Sequence, residues 1–507
     1  MKKRAKKKLI AFTVLLVAVV IGLILNFYFN FPSTIVEKYH KASEEKILKT
    51  EKEPWITVFV HGSFGSTLGF LNAYNVLSDD VDGTYYKKLV HRLRKDPFFY
   101  RNQPFLEKGL VWVAPTFNLE KRGGKKYAAY PLTKAYQKVT DYVKPDKEKN
   151  YFYTYGWSGL LSQSRRCYEA IRFYNELSEK LAKYNKKGIY PKVRVLTHSH
   201  GGNLLAYVAA IDEVLRHEGD EEFESCSFGD RKDALVRVCK MLKTLPTKAR
   251  KKVLNKTDLK KKKSQKRWDY KPEGSTLEID ELILWAMPVQ TETDNLFSSP
   301  VFKTCYHFYS GDDLVQRVDW ISTKDDYSNR RFDSDRLQAF GDEKNRFVQS
   351  RIMVGRDFGD KNGNKVVPGD EKEKESFWSI LFSGGALVSP TSQDPTHKEL
   401  WFFTWHYDNS GEREFILAPF PVAVFTPLLV KLLNENKDVW DADINLVDNN
   451  KHIDFCLLGH ESNSCKSKFC LKKKFIQSMS EKVDPWRYGY VESNNLFDSL
   501  RKIAVGA

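Results

Sequence analysis

One stretch of this 507-residue chain dictates local structure more firmly than any other. The run Val193-Arg194-Val195-Leu196 leads directly into Thr197-His198-Ser199-His200-Gly201-Gly202, and Asn203-Leu204-Leu205-Ala206-Tyr207-Val208-Ala209-Ala210 follows. The first run reads as a strand and the last as a helix, so the chain must turn from one into the other within a few residues. Strand and helix approach closely at such a turn, which calls for small side chains; Gly201 and Gly202 supply them, with Thr197 on the strand side. Ser199 sits at the tip. A serine in that place can cap the helix, or it can be pushed out of the backbone into a pocket.

The first residues obey different physics. Lys2, Lys3, Arg4, Lys6, Lys7 and Lys8 precede a charge-free run from Leu9 to about Phe31, long enough to cross a bilayer as a helix. A cleaved signal peptide has a shorter apolar region that ends in small residues. Here the run ends in Asn26-Phe27-Tyr28-Phe29-Asn30-Phe31, whose aromatic rings suit a membrane–water interface. The expectation is a single-pass signal anchor: residues 1–8 cytoplasmic, 9–31 the transmembrane helix, 32–53 a charged linker, and the remainder on the extracytoplasmic side.

The formal net charge is +17. The basic N-terminus accounts for part of it, and most of the remaining excess lies between Lys248 and Arg267, including Lys260-Lys261-Lys262-Lys263. Such a run reads as a solvated insertion, or as a surface for anionic lipid headgroups. Nucleic acid is not expected, because no recognised nucleic-acid-binding motif accompanies the charge. Export permits disulfides among the seven cysteines, with Cys226 and Cys239, or two of Cys456, Cys465 and Cys470, as candidates. Cys456, His460, Cys465 and Cys470 match no standard zinc spacing, so no metal is expected.

Short continuous apolar runs recur at Trp55 to Val60, Leu110 to Ala114, Tyr151 to Tyr155, Val193 to Leu196, Leu282 to Ala286 and Tyr306 to Tyr309. Without alternation, they read as strands buried on both faces, as in a parallel sheet. Between two of them, residues 161–185 place Leu161, Arg165, Tyr168, Ile171, Tyr174, Leu177 and Leu181 at helical steps. Strands alternating with helices point to an α/β fold with a doubly wound, mostly parallel sheet. Residues 54–410 read as that domain, with a charged insertion at about 217–275 that lacks sustained periodicity. Phe377 to Phe382 and Phe415 to Phe425 are either core or a lid around an apolar pocket. Residues 411–507 are an extension or the rest of the same domain, without a legible motif.

Over residues 54–406 the chain resembles the α/β-hydrolase superfamily, in particular lipase- and esterase-like serine hydrolases. Thr197-His198-Ser199-His200-Gly201 is similar to the nucleophile elbow G-x-S-x-G, with Thr197 replacing the first glycine. Val60-His61-Gly62-Ser63-Phe64-Gly65 looks like the family's oxyanion loop, and Tyr155-Gly156-Trp157-Ser158-Gly159 like a structural segment near the pocket. Ser158 is a poor rival nucleophile, since Leu160 replaces the elbow's second glycine. The resemblance implies a triad in the order Ser, Asp, His. The loop Ser310-Gly311-Asp312-Asp313-Leu314-Val315 resembles the acid loop, with Asp313 preferred over Asp312 and Asp294 third. His397, in Pro395-Thr396-His397-Lys398-Glu399-Leu400, is similar to the late histidine, with His406 its rival. The backbone amides of His200, Ser63 and Gly62 would line the oxyanion hole.

What the resemblance implies is a membrane-anchored serine hydrolase that cleaves carboxylic esters, lipid esters above all, through an acyl-enzyme and without a cofactor. The same triad also serves acyltransferases and glycolipid deacylases. A non-catalytic hydrolase-fold protein that binds lipid or a partner at the membrane is the alternative from another class.

Overall fold

The computed structural model describes residues 54–62, 109–113, 129–144, 148–157, 159, 163–228, 232–247, 271–272, 277–311, 313, 328–341, 345–355, 394–405, 415–458 and 464–488. The expected transmembrane run, Ser63, Ser158, Asp312, His406, Lys248–Arg267 and Phe377–Phe382 lie outside them. No helix among the described residues is long and apolar enough to cross a membrane.

The strands are β1 (Pro54–Val60), β2 (Gly109–Trp112), β3 (Lys149–Gly156), β4 (Lys192–His198), β5 (Glu281–Trp285), β6 (Thr304–Tyr309), β7 (Arg346–Val354), β8 (Asp441–Asn449), β9 (His452–Leu458) and β10 (Cys465–Lys472). They form one ten-stranded sheet in the order β10-β9-β8-β7-β6-β5-β4-β1-β3-β2. From β3 to β8 every pairing is parallel, while β2 at one edge and β9 and β10 at the other are antiparallel. The fold is therefore α/β with a mixed sheet. The continuous apolar runs become the central strands, where both faces are buried: all of Ile56 to Val60, Val193 to His198 and Leu282 to Trp285 is shielded from solvent.

The helices are α1 (Ala129–Val143), α2 (Gln163–Asn185), α3 (His200–Arg216), α4 (Glu221–Ser225), α5 (Lys232–Thr244), α6 (Ser334–Gly341), α7 (His397–Trp401), α8 (Thr426–Glu435) and α9 (Lys473–Val483). They pack in two groups: α2, α3 and α5 on one another, and α8 and α9 each on α1. α2 bears out the helix expected within 161–185 and buries Ile171, Tyr174 and Leu177 of the expected stripe, joined by Cys167 and Ala170, while Arg165, Tyr168 and Leu181 are half-buried and Leu161 lies outside the described residues.

One segment differs from expectation, and two take one of the alternatives the sequence leaves open. Within 217–275, where no sustained periodicity is expected, Ala234, Leu235, Val238, Cys239 and Leu242 recur at helical steps and bury one face of α5. A Cys226–Cys239 disulfide, Cα atoms 5.7 Å apart, ties α5 to the end of α4. Phe415, Leu417, Phe420 and Val422 to Phe425 are buried in the interior, so the described part of this segment is core and forms no lid. Residues 441–472 add β8, β9 and β10 to the same sheet, and Cys456 pairs with Cys465 there. Cys456 and Cys465 are thereby withdrawn from the four-residue set weighed for zinc, and His460 lies outside the described residues.

Two ends of the sheet carry different chemistry. At the amino-terminal end of β4, buried Arg194 pairs with Glu148 and, at 2.5 Å, with Glu281, and lies 4.2 Å from the centre of the Trp55 ring. Burial alone would raise the Glu148 pKa, but the Arg194 guanidinium overrides it and holds the carboxyl at about 2. The carboxyl-terminal ends of β1, β3, β4, β5, β6 and β7 open together at the opposite edge, where crossover sheets place their ligands.

Candidate active site

Ser199 follows the last residue of β4 and precedes the first residue of α3. Its backbone has φ 51° and ψ −133°, a conformation that residues with a Cβ rarely adopt. Neighbours hold it there. The Ser199 amide donates to the Trp285 carbonyl of β5 at 2.8 Å, and the Ser199 carbonyl accepts from the Gly202 amide at 2.9 Å. The glycines are small for a reason that distances make plain. A Cβ on Gly201 would fall 2.5 Å from the His61 carbonyl oxygen, and one on Gly62 would fall 2.8 Å from Ser199 Cβ. Thr197, where the resemblance predicts glycine, is fully buried, and its hydroxyl donates to the Ile283 carbonyl at 3.3 Å. The larger residue is accommodated because the adjacent strand satisfies its one polar group.

The capping alternative for Ser199 fails: its side chain makes no capping hydrogen bond, and no acidic residue occupies the first turn of α3. The positive end of the helix dipole, with the His200 amide leading it, therefore lies beside the serine.

His397 is the first residue of α7. Thr396 begins that helix with a capping box, accepting from the Glu399 amide while Glu399 accepts from the Thr396 amide at 2.7 Å. The cap fixes the orientation in which His397 enters. Its Nδ1 lies 2.7 Å from Oδ2 of Asp313, which is completely buried in the turn after β6. Nδ1–H donates and the carboxylate accepts, leaving Nε2 as the basic nitrogen. Asp294, the third-ranked acid, instead contacts Arg336 at 3.3 Å. Among the described residues no hydrogen bond joins Ser199 Oγ to His397.

His198 connects the two. Its ring centroid is 4.4 Å from that of His397, and it stacks on Trp401 of α7 at 5.3 Å. Burial, reinforced by the neighbouring His397, pushes the His198 pKa well below that of a free imidazole. The other two histidines have partners of their own. His61 Nε2 accepts from the Trp157 amide at 3.2 Å while its Nδ1–H donates to the Gly62 carbonyl at 2.5 Å. His200 Nδ1 accepts from the buried Arg166 guanidinium at 3.3 Å. Trp157 in turn donates its indole N–H to the His61 carbonyl at 2.8 Å, fixing the end of β1 to the end of β3.

Comparison with known proteins returned no matching family model, no curated relative and no solved structure. The geometry stands alone.

The sequence reading paired Ser199, Asp313 and His397 across the chain, and the structure sets Asp313 and His397 in contact and Ser199 beside His198. Gly62 and His200 adjoin the serine, whereas Ser63, Asp312 and His406 lie outside the described residues. Sequence reasoning missed Arg166, Arg351 and Asp394. Arg166 carried a signal, an arginine on the same stripe as Ala170, Phe173 and Leu177 of α2, where a buried charge needs a partner. The pairing of Arg351 with Asp394 had none, since it joins residues far apart in the chain.

Proposed function

We propose that this protein is a membrane-anchored serine hydrolase acting on carboxylic esters, with lipid esters as the substrate class. The observation that carries the reading is the strained Ser199 backbone at a strand-to-helix turn, on the same sheet edge as a histidine bonded to a buried aspartate. Strained serine, acid and base follow β4, β6 and β7 in chain order, the arrangement expected of an α/β-hydrolase fold.

In this reading Ser199 Oγ attacks the ester carbonyl carbon while His397 Nε2 takes its proton. Asp313 keeps the ring in the tautomer that leaves Nε2 basic and stabilises the imidazolium that forms. Negative charge on the carbonyl oxygen is met by the His200 amide at the start of α3 and by the backbone at Gly62. The imidazolium then protonates the departing alcohol. Water, deprotonated by His397, attacks the acyl-serine and releases the acid, so the cycle needs no cofactor. The apolar run Leu9–Phe31 would hold the domain at a bilayer, and the lysine-rich segment Lys248–Arg267 would meet anionic headgroups.

The test is labelling of the detergent-solubilised full chain by a fluorophosphonate probe, beside Ser199→Ala. Labelling is expected in the first and absent in the second. A folded wild type that resists the probe would sink the hydrolase reading. Hydrolysis of long-chain esters in vesicles should exceed that of short, water-soluble esters; the opposite preference would remove lipid from the proposal.

A further inference from the structure

A second ion pair lies in this region that neither the serine nor the histidine uses. Arg351, towards the carboxyl end of β7, stands in register with Tyr309, the last residue of β6. Its Nη2 donates to Oδ2 of the completely buried Asp394 at 2.7 Å. Asp394 precedes His397 by only three positions, within the segment that Thr396 caps into α7. One side-chain contact thus ties the end of β7 to the start of the histidine segment.

The acid turn belongs to the same knot. Gly311 lies between the end of β6 and Asp313, and a Cβ there would fall 2.6 Å from Arg351 Nη2 and 2.9 Å from Asp394 Oδ2. The turn is therefore seated directly against the ion pair, with no room between them. Arg330 also donates to the Gly311 carbonyl. Asp394 favours the charged guanidinium despite its burial, so the pair persists as an ion pair.

We propose that Arg351 and Asp394 are positioning residues whose ion pair, seated against Gly311, clamps the histidine segment onto the acid turn and so sets the Asp313–His397 contact. The proposal rests on Ser199, His397 and Asp313 acting as one catalytic unit. Neither Arg351 nor Asp394 touches substrate in this account; both act through His397.

The experiment compares the full chain in detergent with Arg351→Ala, Arg351→Lys, Asp394→Asn and Gly311→Ala. Thermal unfolding reports the folded fraction. The low-field proton resonance of His397 Nδ1–H, identified by its disappearance in His397→Gln, reports the contact itself. Fluorophosphonate labelling per folded molecule reports its consequence. Arg351→Ala, Asp394→Asn and Gly311→Ala are each expected to broaden or abolish the resonance and to slow labelling by about tenfold or more, since small misplacements of reacting groups are costly. Arg351→Lys, which keeps the charge, recovers part of both. Gly311→Ala is the sharpest variant, because it preserves both charges and disturbs only their seating. Folded variants that keep the resonance and label at the wild-type rate would overturn the clamp. If the wild type itself is not labelled, the hydrolase reading fails separately, and the resonance still decides whether the ion pair sets the contact.

Discussion

At the scale of single residues, four histidines gather near Ser199, and in the proposed reading His397 is the base. His61 and His200 each have a ring nitrogen already accepting from an N–H, and His198 is buried beside another imidazole. The His397 Nδ1 instead meets the buried Asp313 carboxylate at 2.7 Å. Replacing Asp313 by Asn should therefore leave the fold intact while presenting the wrong tautomer, slowing probe labelling by roughly 10³- to 10⁴-fold. Asp312→Asn should label close to wild type. Rates measured on both variants check the assignment, and a reversed order would move the acid by one position.

At the scale of elements, α5 presents buried apolar residues to α3 and α2 while its other face stays polar. The Cys226–Cys239 bridge closes a short loop around it, and closure of a loop of this length contributes about 3 kcal/mol by reducing the freedom of the unfolded chain. Cys226→Ser with Cys239→Ser should lower the thermal midpoint, read by circular dichroism, yet leave labelling at Ser199 unchanged below it. Lost labelling would mean that α5 supports the site as well as the fold. How much of this was legible depends on what each element buries. Strands β1, β4, β5 and β6 announced themselves because both faces meet apolar layers. β7 did not, because Gln349, Ser350 and Arg351 interrupt it; in the structure Gln349 accepts from the His307 ring at 3.2 Å and from the Phe332 amide at 2.8 Å. Polar residues satisfied across the sheet look like solvent-facing residues until their partners are known. α5 was legible in principle, but the lysines beyond it masked its periodicity. The preference for Asp313 over Asp312 came from resemblance; it takes the geometry of the turn to show which carboxylate meets a histidine.

At the scale of the whole molecule, burial and charge divide along the strands and make acid the natural denaturant. Burial lowers the His307 pKa to about 4, against about 6.5 for an unperturbed imidazole. The unfolded chain thus takes up that proton first, and the stability linked to neutral His307 is complete above pH 6.5 and lost as pH falls towards 4. The loss amounts to something on the order of 3 kcal/mol. His198 acts with the same sign. Glu148 belongs to a lower window: its depressed pKa contributes stability above about 4.5 that disappears as pH falls towards 2. Thermal midpoints measured from pH 7.5 to 3 should therefore fall in two stages, and His307→Asn, whose amide nitrogen can stand in for Nδ1, should flatten the upper one. An unchanged upper slope would remove His307 from this account. The six strand ends that open at one edge have another consequence. His61, Trp157, Ser199, Trp285, Asp313 and His397 are contributed by segments spread over most of the described chain, so no fragment and no partly assembled intermediate can hold all of them in place. In the proposed reading, labelling at Ser199 then counts finished molecules, and would let assembly and damage of the protein be followed in intact cells without an antibody or a known substrate.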